Sequence, residues 1–197
     1  MIFLVSDLLD APKRARVYSK IDLHSTYHLI RIIEDDKWKT IFYTHYSSYK
    51  WLVMPFGLMN VPLAFQYLMN KLFADILGMY IIIYSNNILI YSDNIAEHRK
   101  PIREVLCWLH ANGLYILSNK YVFHYNKIEF LGFILDLYGV QMDDSKISII
   151  QKWPMFWYLK DIQVFLGFAN FYRYFIYSYS RIVTLFTQLT HKLVSWN

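Results

Sequence analysis

The chain has 197 residues, of which 56% are hydrophobic, 19% aromatic and 18% charged, and its formal net charge is +5. The apolar content is ample for a buried core, so the composition excludes a disordered chain. A single cysteine excludes an internal disulfide framework and a cysteine-based zinc site, whereas the basic charge fits a nucleic-acid partner without requiring one.

The amino-terminal stretch MIFLVSDLLD has no basic n-region, so it does not have the pattern of a secretory signal. No apolar run approaches the roughly 20 residues that a membrane span needs. We therefore expect an intracellular protein, cytoplasmic or nuclear, without a membrane segment. A short helix is predicted from Ser6, followed by a basic loop and then by a strand over residues 17–23.

Two strand-forming stretches come next, YHLIRII at 27–33 and WKTIFYTHYSSYKWLVM at 38–54. The second stretch is expected to turn near Ser47 and Ser48. A helix is then predicted between Asn60 and Gly78, because a proline stands near its start and a glycine at its end.

The stretch MYIIIYSNNILIYS at 79–92 is a run of β-forming residues interrupted by Asn86 and Asn87. Two such strands joined by a short polar loop predict a β-hairpin. Considered locally, the two asparagines are turn residues that tolerate positive φ. This local interpretation leaves open whether they also have a functional role.

Apolar residues recur at helical spacing over 102–109, which predicts a helix that ends at Gly113. If this helix began near Asn94, Pro101 would lie in its interior at a cost of about 3 kcal/mol. We therefore expect the helix to start late or to kink.

The carboxyl-terminal third changes character near residue 142. The stretch KIEFLGFILDLYGVQM at 127–142 predicts two strands around a turn at Tyr138 and Gly139, and the chain from Asp143 onward has a helical pattern. The sequence thus predicts an α+β domain over 1–142, followed by a small helical module over 143–197.

Five segments together resemble the reverse transcriptase of gypsy-type long-terminal-repeat retrotransposons, because they follow the order and spacing of that family. They are residues 18–32, 36–66, 84–92, 128–135 and 165–176. The resemblance implies a right-hand polymerase fold, with a palm and partial fingers over 1–142 and a helical thumb over 143–197. It also implies template-directed addition of deoxynucleotides (dNTP) to a primer on an RNA or DNA template, with Mg²⁺ or Mn²⁺ as the cofactor.

The resemblance further implies a metal site made of three carboxylates, one on a palm strand and two at a hairpin turn. Asp22 matches the first of them, and the other two should stand in a Tyr-x-Asp-Asp motif that here reads Tyr84-Ser85-Asn86-Asn87. A neutral amide oxygen is a poor substitute for a carboxylate as a ligand of a hard divalent cation. We therefore expect Asp22 to be the remaining metal ligand, metal binding to be weak and polymerase activity to be lost. Asn86 matters more than Asn87, since the family's aspartate at that position touches both ions.

The resemblance assigns a second group of residues to the incoming nucleotide. Tyr27 matches the aromatic residue under the sugar, Phe56 and Gly57 match a loop against the nucleotide, and Lys39 and Lys120 match lysines near the phosphates. From spacing alone, Tyr27 is equally well a buried strand residue, whereas a lone lysine is usually a solvated surface group.

A third group is assigned to the primer and template. Phe130 to Phe133 match a turn at the primer end, in which Leu131 precedes Gly132, a residue that permits close backbone approach. Tyr84 is assigned to the same contact, and Arg173 of the thumb is expected to meet the duplex backbone.

These patterns favour a reverse transcriptase derived from a retrotransposon and inactive because two of its metal ligands are replaced. Two alternatives remain open at this point. The chain could be a nucleic-acid-binding module without catalysis, or an inert fragment with no molecular activity.

Overall fold

A computed structural model describes residues 10–24, 26–117 and 119–190. The helix predicted from Ser6 lies outside these residues. The described residues form an α+β fold whose last part is helical, as the sequence predicts.

The described strands are β1 Val17–Asp22, β2 Phe42–Tyr43, β3 Ser48–Tyr49, β4 Ile81–Tyr84, β5 Asn87–Ser92, β6 Val122–Tyr125, β7 Ile128–Phe130, β8 Phe133–Asp136 and β9 Gly139–Met142. The described α-helices are α1 Val61–Leu72, α2 Ile95–Ala111, α3 Asp144–Gln151, α4 Leu159–Phe171 and α5 Tyr179–Leu189. Short 3₁₀ helices cover Ala11–Arg14, Thr26–Leu29, Glu34–Thr40 and Arg173–Phe175. None of the described helices is long and apolar enough to cross a membrane.

A four-stranded sheet in the order β4-β5-β1-β6 forms the centre of the fold. Strands β4 and β5 form the predicted hairpin, and β5 also pairs antiparallel with β1. Isoleucine and leucine side chains of these strands are buried on both faces of the sheet, which explains their continuous apolar sequence. Helices α1 and α2 cover one face of the sheet and contribute Phe65, Met69, Val105 and Leu109 to the core.

The stretch at 27–33 is not a strand, so that prediction is wrong. Residues 26–29 form a 3₁₀ turn, and Arg31 makes an isolated bridge to Val53. The strand-forming composition is misleading because the Tyr27 ring packs edge-on against Phe56 and Phe65, which lie outside any sheet. The pair β2 and β3 forms where strands were predicted but is only two residues long on each side. Its turn spans residues 44–47, next to the predicted position near Ser47 and Ser48.

Two helix predictions require correction at their ends. Helix α1 ends at Leu72 rather than near Gly78, which lies in a separate turn and has a φ of +80°. Helix α2 starts at Ile95, so the expected late start is wrong. The Asn94 side chain accepts a hydrogen bond from the Glu97 backbone and caps this end, and Pro101 lies buried in the helix interior.

The end of the chain also contains more strands than predicted. Strand β6 has no counterpart in the prediction, and the stretch at 127–142 forms three strands instead of two. The additional break falls at Leu131 and Gly132, whose positive φ values of 53° and 82° are typical of a tight two-residue hairpin loop.

The described chain divides into two compact units. The first unit extends to Phe130 and includes Leu135–Gly139, and the second consists of Leu131–Ile134 and the residues from Val140 onward. The assignment of 1–142 to a palm and 143–197 to a thumb stays a prediction.

Aromatic side chains form the interior of the second unit. The ring of Phe165 lies 5.2 Å from Trp153, 5.3 Å from Phe156 and 5.5 Å from Phe186, measured between centroids. These contacts join α4 to the segment after α3 and to α5. Ring pairs at such distances add attraction beyond the apolar area that they bury.

A buried histidine connects α2 to the central sheet. His98 has no exposed surface, and its two ring nitrogens are each hydrogen-bonded to a serine hydroxyl at 2.7 Å, Ser19 on β1 and Ser92 at the end of β5. Burial lowers the pKa of His98 to about 4, and the neighbouring His124 ring acts in the same direction. The neutral imidazole is therefore part of the folded structure.

We expect acidification to destabilise the fold through His98. The unfolded chain binds a proton near the ordinary pKa of 6.5, whereas the folded chain resists protonation down to about 4. The stabilisation is thus complete above about pH 6.5, and up to about 3 kcal/mol is lost as the pH falls toward 4. Urea unfolding at several pH values measures this loss. A His98→Asn variant should be less stable at pH 7 but lose less on acidification, and equal losses in both proteins would contradict the assignment.

Candidate active site at the turn between β4 and β5

The backbone brings the three residues at the predicted metal-site positions together. Asp22 is the last residue of β1 and is the register partner of Asn87, the first residue of β5. Asn86 lies in the turn before β5, and its carbonyl accepts a hydrogen bond from the Leu23 backbone at 2.9 Å. The end of β1 and the hairpin turn are therefore fixed next to each other by main-chain hydrogen bonds.

The side chains of these three residues form a short hydrogen-bonded series. The Asn86 amide nitrogen Nδ2 donates to Asp22 Oδ1 at 2.6 Å, and the Asn87 Nδ2 donates to Asn86 Oδ1 at 3.3 Å. All three residues are half-buried. The carboxylate of Asp22 is the final acceptor of the series and carries its one negative charge.

The turn itself does not need the asparagines for its backbone conformation. Ser85 has the positive φ, at 53°, whereas neither Asn86 nor Asn87 is left-handed. The local interpretation, in which the asparagines are present because they tolerate positive φ, is therefore wrong. Instead, the Asn86 side chain bonds Asp22 and the Asn87 side chain bonds Asn86.

Ser85 is held by two neighbours, Gln66 and Tyr27, that no sequence motif assigns to this turn. Its backbone nitrogen donates to Gln66 Oε1 at 2.8 Å, and its hydroxyl is hydrogen-bonded to the Tyr27 hydroxyl at 2.8 Å. Gln66 also donates to the carbonyl of Ile83 at 3.0 Å. The detectable signal in the sequence was a glutamine among the apolar residues of α1, and buried polar side chains of this kind normally have hydrogen-bond partners.

Tyr27 and Phe56 lie together beside the turn. Their ring centroids are 5.6 Å apart in an edge-to-face arrangement. The Tyr27 ring also packs edge-to-face against Phe65, with a centroid distance of 5.5 Å. Phe56 is 67% exposed, so its ring forms part of the surface. Gly57 follows with a φ of +95°, a conformation that favours glycine.

The two predicted lysines do not contact the turn through their side chains. Lys39 is exposed and its ammonium forms an ion pair with Asp36 at 2.6 Å. The Lys120 side chain is exposed. Its backbone nitrogen donates to the Leu117 carbonyl, and the Leu117 backbone nitrogen donates to the Asp22 carbonyl at 2.9 Å. Tyr84 is half-buried at the end of β4 and is the register partner of Asn87.

The residues predicted to contact the primer lie at another turn. Leu131 and Gly132 connect β7 to β8, and a Cβ added to Gly132 would stand 3.0 Å from the Tyr172 hydroxyl. Phe133 stacks on Phe171 at 5.3 Å. Arg173 is exposed in the second unit. Phe130, at the end of β7, is fully buried.

The side chains at the β4–β5 turn do not fit a pair of divalent ions. Magnesium and manganese ions prefer oxygen ligands and are normally anchored by several carboxylates. Here the three positions supply one carboxylate, and one of its oxygens already accepts the Asn86 amide. Within the described ranges, no group of three or more histidine, cysteine, aspartate and glutamate side chains could hold a metal ion.

Comparison with known proteins identifies relatives of the whole chain. The family described as reverse transcriptase (RNA-dependent DNA polymerase) matches residues 3–135. The Transposon Tf2-7 polyprotein of Schizosaccharomyces pombe (strain 972 / ATCC 24843) is 31% identical over 193 residues, 98% of this chain and 14% of the polyprotein. The Transposon Tf2-3 polyprotein of the same organism has the same identity and coverage. The chain therefore spans about one seventh of the length of these relatives.

Solved structures of the foamy viral protease-reverse transcriptase are also similar to this chain. The complex with an RNA/DNA hybrid has a TM-score of 0.86 at 25% identity, covering 99% of this chain and 26% of that one. The complex with double-stranded DNA has a TM-score of 0.88 at 25% identity, covering 100% and 34%. These findings confirm the predicted polymerase fold and the retrotransposon origin, while the narrower gypsy-type assignment stays a prediction. The chain belongs to the reverse transcriptase (RNA-dependent DNA polymerase) family.

Proposed function

We propose that this chain binds a template–primer duplex but does not add nucleotides to it. The observation that carries the proposal is the hydrogen bond from Asn86 Nδ2 to Asp22 Oδ1 at 2.6 Å. At the position of a metal-binding carboxylate, this side chain donates a hydrogen bond to the remaining carboxylate.

The charge at the turn is too small for the family's chemistry. When two divalent ions are bound, they activate the attacking oxygen and neutralise the charge that develops on the transferred phosphoryl group. Asp22 supplies a single negative charge toward such ions, and the amides of Asn86 and Asn87 add none. Lys39, which the resemblance places near the phosphates, pairs with Asp36.

The second unit provides a surface suited to a nucleic-acid backbone. Arg173 lines a groove of about 640 Å³ with neutral polar side chains, among them Asn170, Ser180, Thr184 and Gln188. A cation among hydroxyl and amide groups can bind phosphate and sugar without reading the base sequence. Two similar solved structures contain an RNA/DNA hybrid and double-stranded DNA, which supports a duplex as the partner.

The remaining predicted contacts are part of the same proposal. Tyr27 and Phe56 would face the sugar and base of an incoming nucleotide, and the glycine of the Leu131–Gly132 turn would allow the primer backbone to come close. In this proposal residues 1–142 form the palm with partial fingers, and residues 143–197 form the thumb. An inert fragment is less well supported, because the net charge of +5 and the Arg173 groove both favour an anionic partner.

We expect no primer extension by this chain with Mg²⁺ or Mn²⁺, because the loss of ion binding should lower the rate at least about 1000-fold. A gel assay with a labelled primer on an RNA template measures this. The double variant Asn86→Asp with Asn87→Asp should regain measurable extension, which would assign the loss to these two side chains. Extension by the unaltered chain would contradict the proposal.

We expect the chain to bind an RNA/DNA hybrid with an affinity that falls as salt rises, with a log–log slope of about −3 to −5. Fluorescence anisotropy of a labelled hybrid at several salt concentrations measures the slope. Arg173→Ala should weaken binding about 5-fold and reduce the slope by about 1.

The matched control is Arg103→Ala, which removes an exposed arginine from α2 in the first unit. This variant should bind within about 2-fold of the unaltered chain. An equal loss in both variants would show only a general charge effect, and no binding at low salt would favour the inert fragment.

A further inference from the structure

We infer that the Asn86 amide takes the place of a cation at this turn, so that the turn stays closed and the fold stays stable without any divalent ion. The inference deepens the proposed function and rests on the same loss of metal ligands. It adds a consequence for stability, which can be measured without any catalytic activity.

The absence of a negative charge at position 86 explains why an amide stabilises this turn. Asp22 and Asn87 are direct register partners on antiparallel strands, and like charges in such a pair are destabilising. A carboxylate at position 86 would place two anionic oxygens where Asn86 Nδ2 and Asp22 Oδ1 are now 2.6 Å apart. An ion between them normally removes this repulsion, and here the amide removes it by donating a hydrogen bond.

The rest of the turn is also closed by contacts within the protein. The Asn86 carbonyl accepts from the Leu23 backbone, and the backbone and hydroxyl of Ser85 bond to Gln66 and Tyr27. These bonds hold Ser85 at its φ of 53°, a conformation that non-glycine residues rarely adopt. Because each of these partners is a protein group, the turn does not depend on an ion for its geometry.

The two asparagines contribute unequally. Asn86 reaches the carboxylate directly at 2.6 Å, whereas Asn87 donates to the Asn86 oxygen at 3.3 Å. We therefore assign the cation-like role to Asn86 and a supporting role to Asn87. This difference predicts an order of effects for the single variants.

The experiment compares melting temperatures in EDTA and in millimolar Mg²⁺ or Mn²⁺. The unaltered chain should melt at the same temperature in all three conditions. Asn86→Asp should melt about 2 to 4 °C lower in EDTA and recover part of this loss with either ion, and Asn87→Asp should lose about half as much. Asn126→Asp makes the same charge change in an exposed turn after β6 and should shift by less than about 1 °C.

An Asn86→Asp variant as stable in EDTA as the unaltered chain would overturn the inference, and so would a rise in the melting temperature of the unaltered chain on adding Mg²⁺. If Asn86→Asp does not fold, hydrogen exchange on the unaltered chain decides the matter. The amide of Leu23, which donates to Asn86, should be protected equally with and without Mg²⁺. Protection that appears only with the ion would overturn the inference.

Measurements of hybrid binding and of melting temperature on the same proteins test the proposed function and this inference separately. Loss of hybrid binding together with the predicted melting pattern would refute the duplex-binding proposal and leave the role of Asn86 intact. Hybrid binding without the predicted melting pattern would refute the role of Asn86 and leave the duplex-binding proposal intact.

Discussion

In the function that we propose, the hydrogen bond between the Asn86 amide and the Asp22 carboxylate limits what this reverse transcriptase fold can do. It joins the end of β1 to the turn between β4 and β5, where the fold brings the predicted metal-binding positions together. An asparagine is close in shape to an aspartate, so the hairpin and its register are compatible with the replacement. The difference is in charge, since a site that should concentrate negative charge contains one carboxylate whose oxygen is already bonded.

The β4–β5 hairpin of the central sheet could be predicted from the sequence because both strands are nearly continuous apolar runs on either side of a short polar turn, whereas β6 of the same sheet was not predicted. The hairpin around residues 85–86 and the strand before Asp22 follow from that pattern. The segment at 27–33 is also rich in strand-forming residues, but residues 26–29 form a 3₁₀ turn, since the Tyr27 ring is held by Phe56 and Phe65 instead of by a neighbouring strand. The pattern of apolar residues indicates which side chains can be buried, but it does not indicate which distant element each of them will contact.

At the candidate site, the family motifs likewise predict which residues come together but not which side-chain contacts they make. The grouping of Asp22 with Asn86 and Asn87 could be anticipated from the family resemblance, because each residue stands in a recognisable motif. The contacts of Ser85 with Gln66 and Tyr27 could not, since they join residues 19 and 58 positions apart through side-chain atoms. The direction of the Asn86 hydrogen bond was equally inaccessible, although it explains how the turn can close without an ion.

Paramagnetic resonance of Mn²⁺ can measure whether the turn between β4 and β5 holds divalent ions. The ion would be titrated into the protein bound to a hybrid with a terminated primer and the matching nucleotide. We expect the signal of bound Mn²⁺ to be no larger with the protein than with the hybrid and nucleotide alone, because one carboxylate that already accepts an amide hydrogen bond cannot hold two divalent ions. Two Mn²⁺ ions bound tightly per protein, beyond those held by the hybrid and nucleotide, would contradict it.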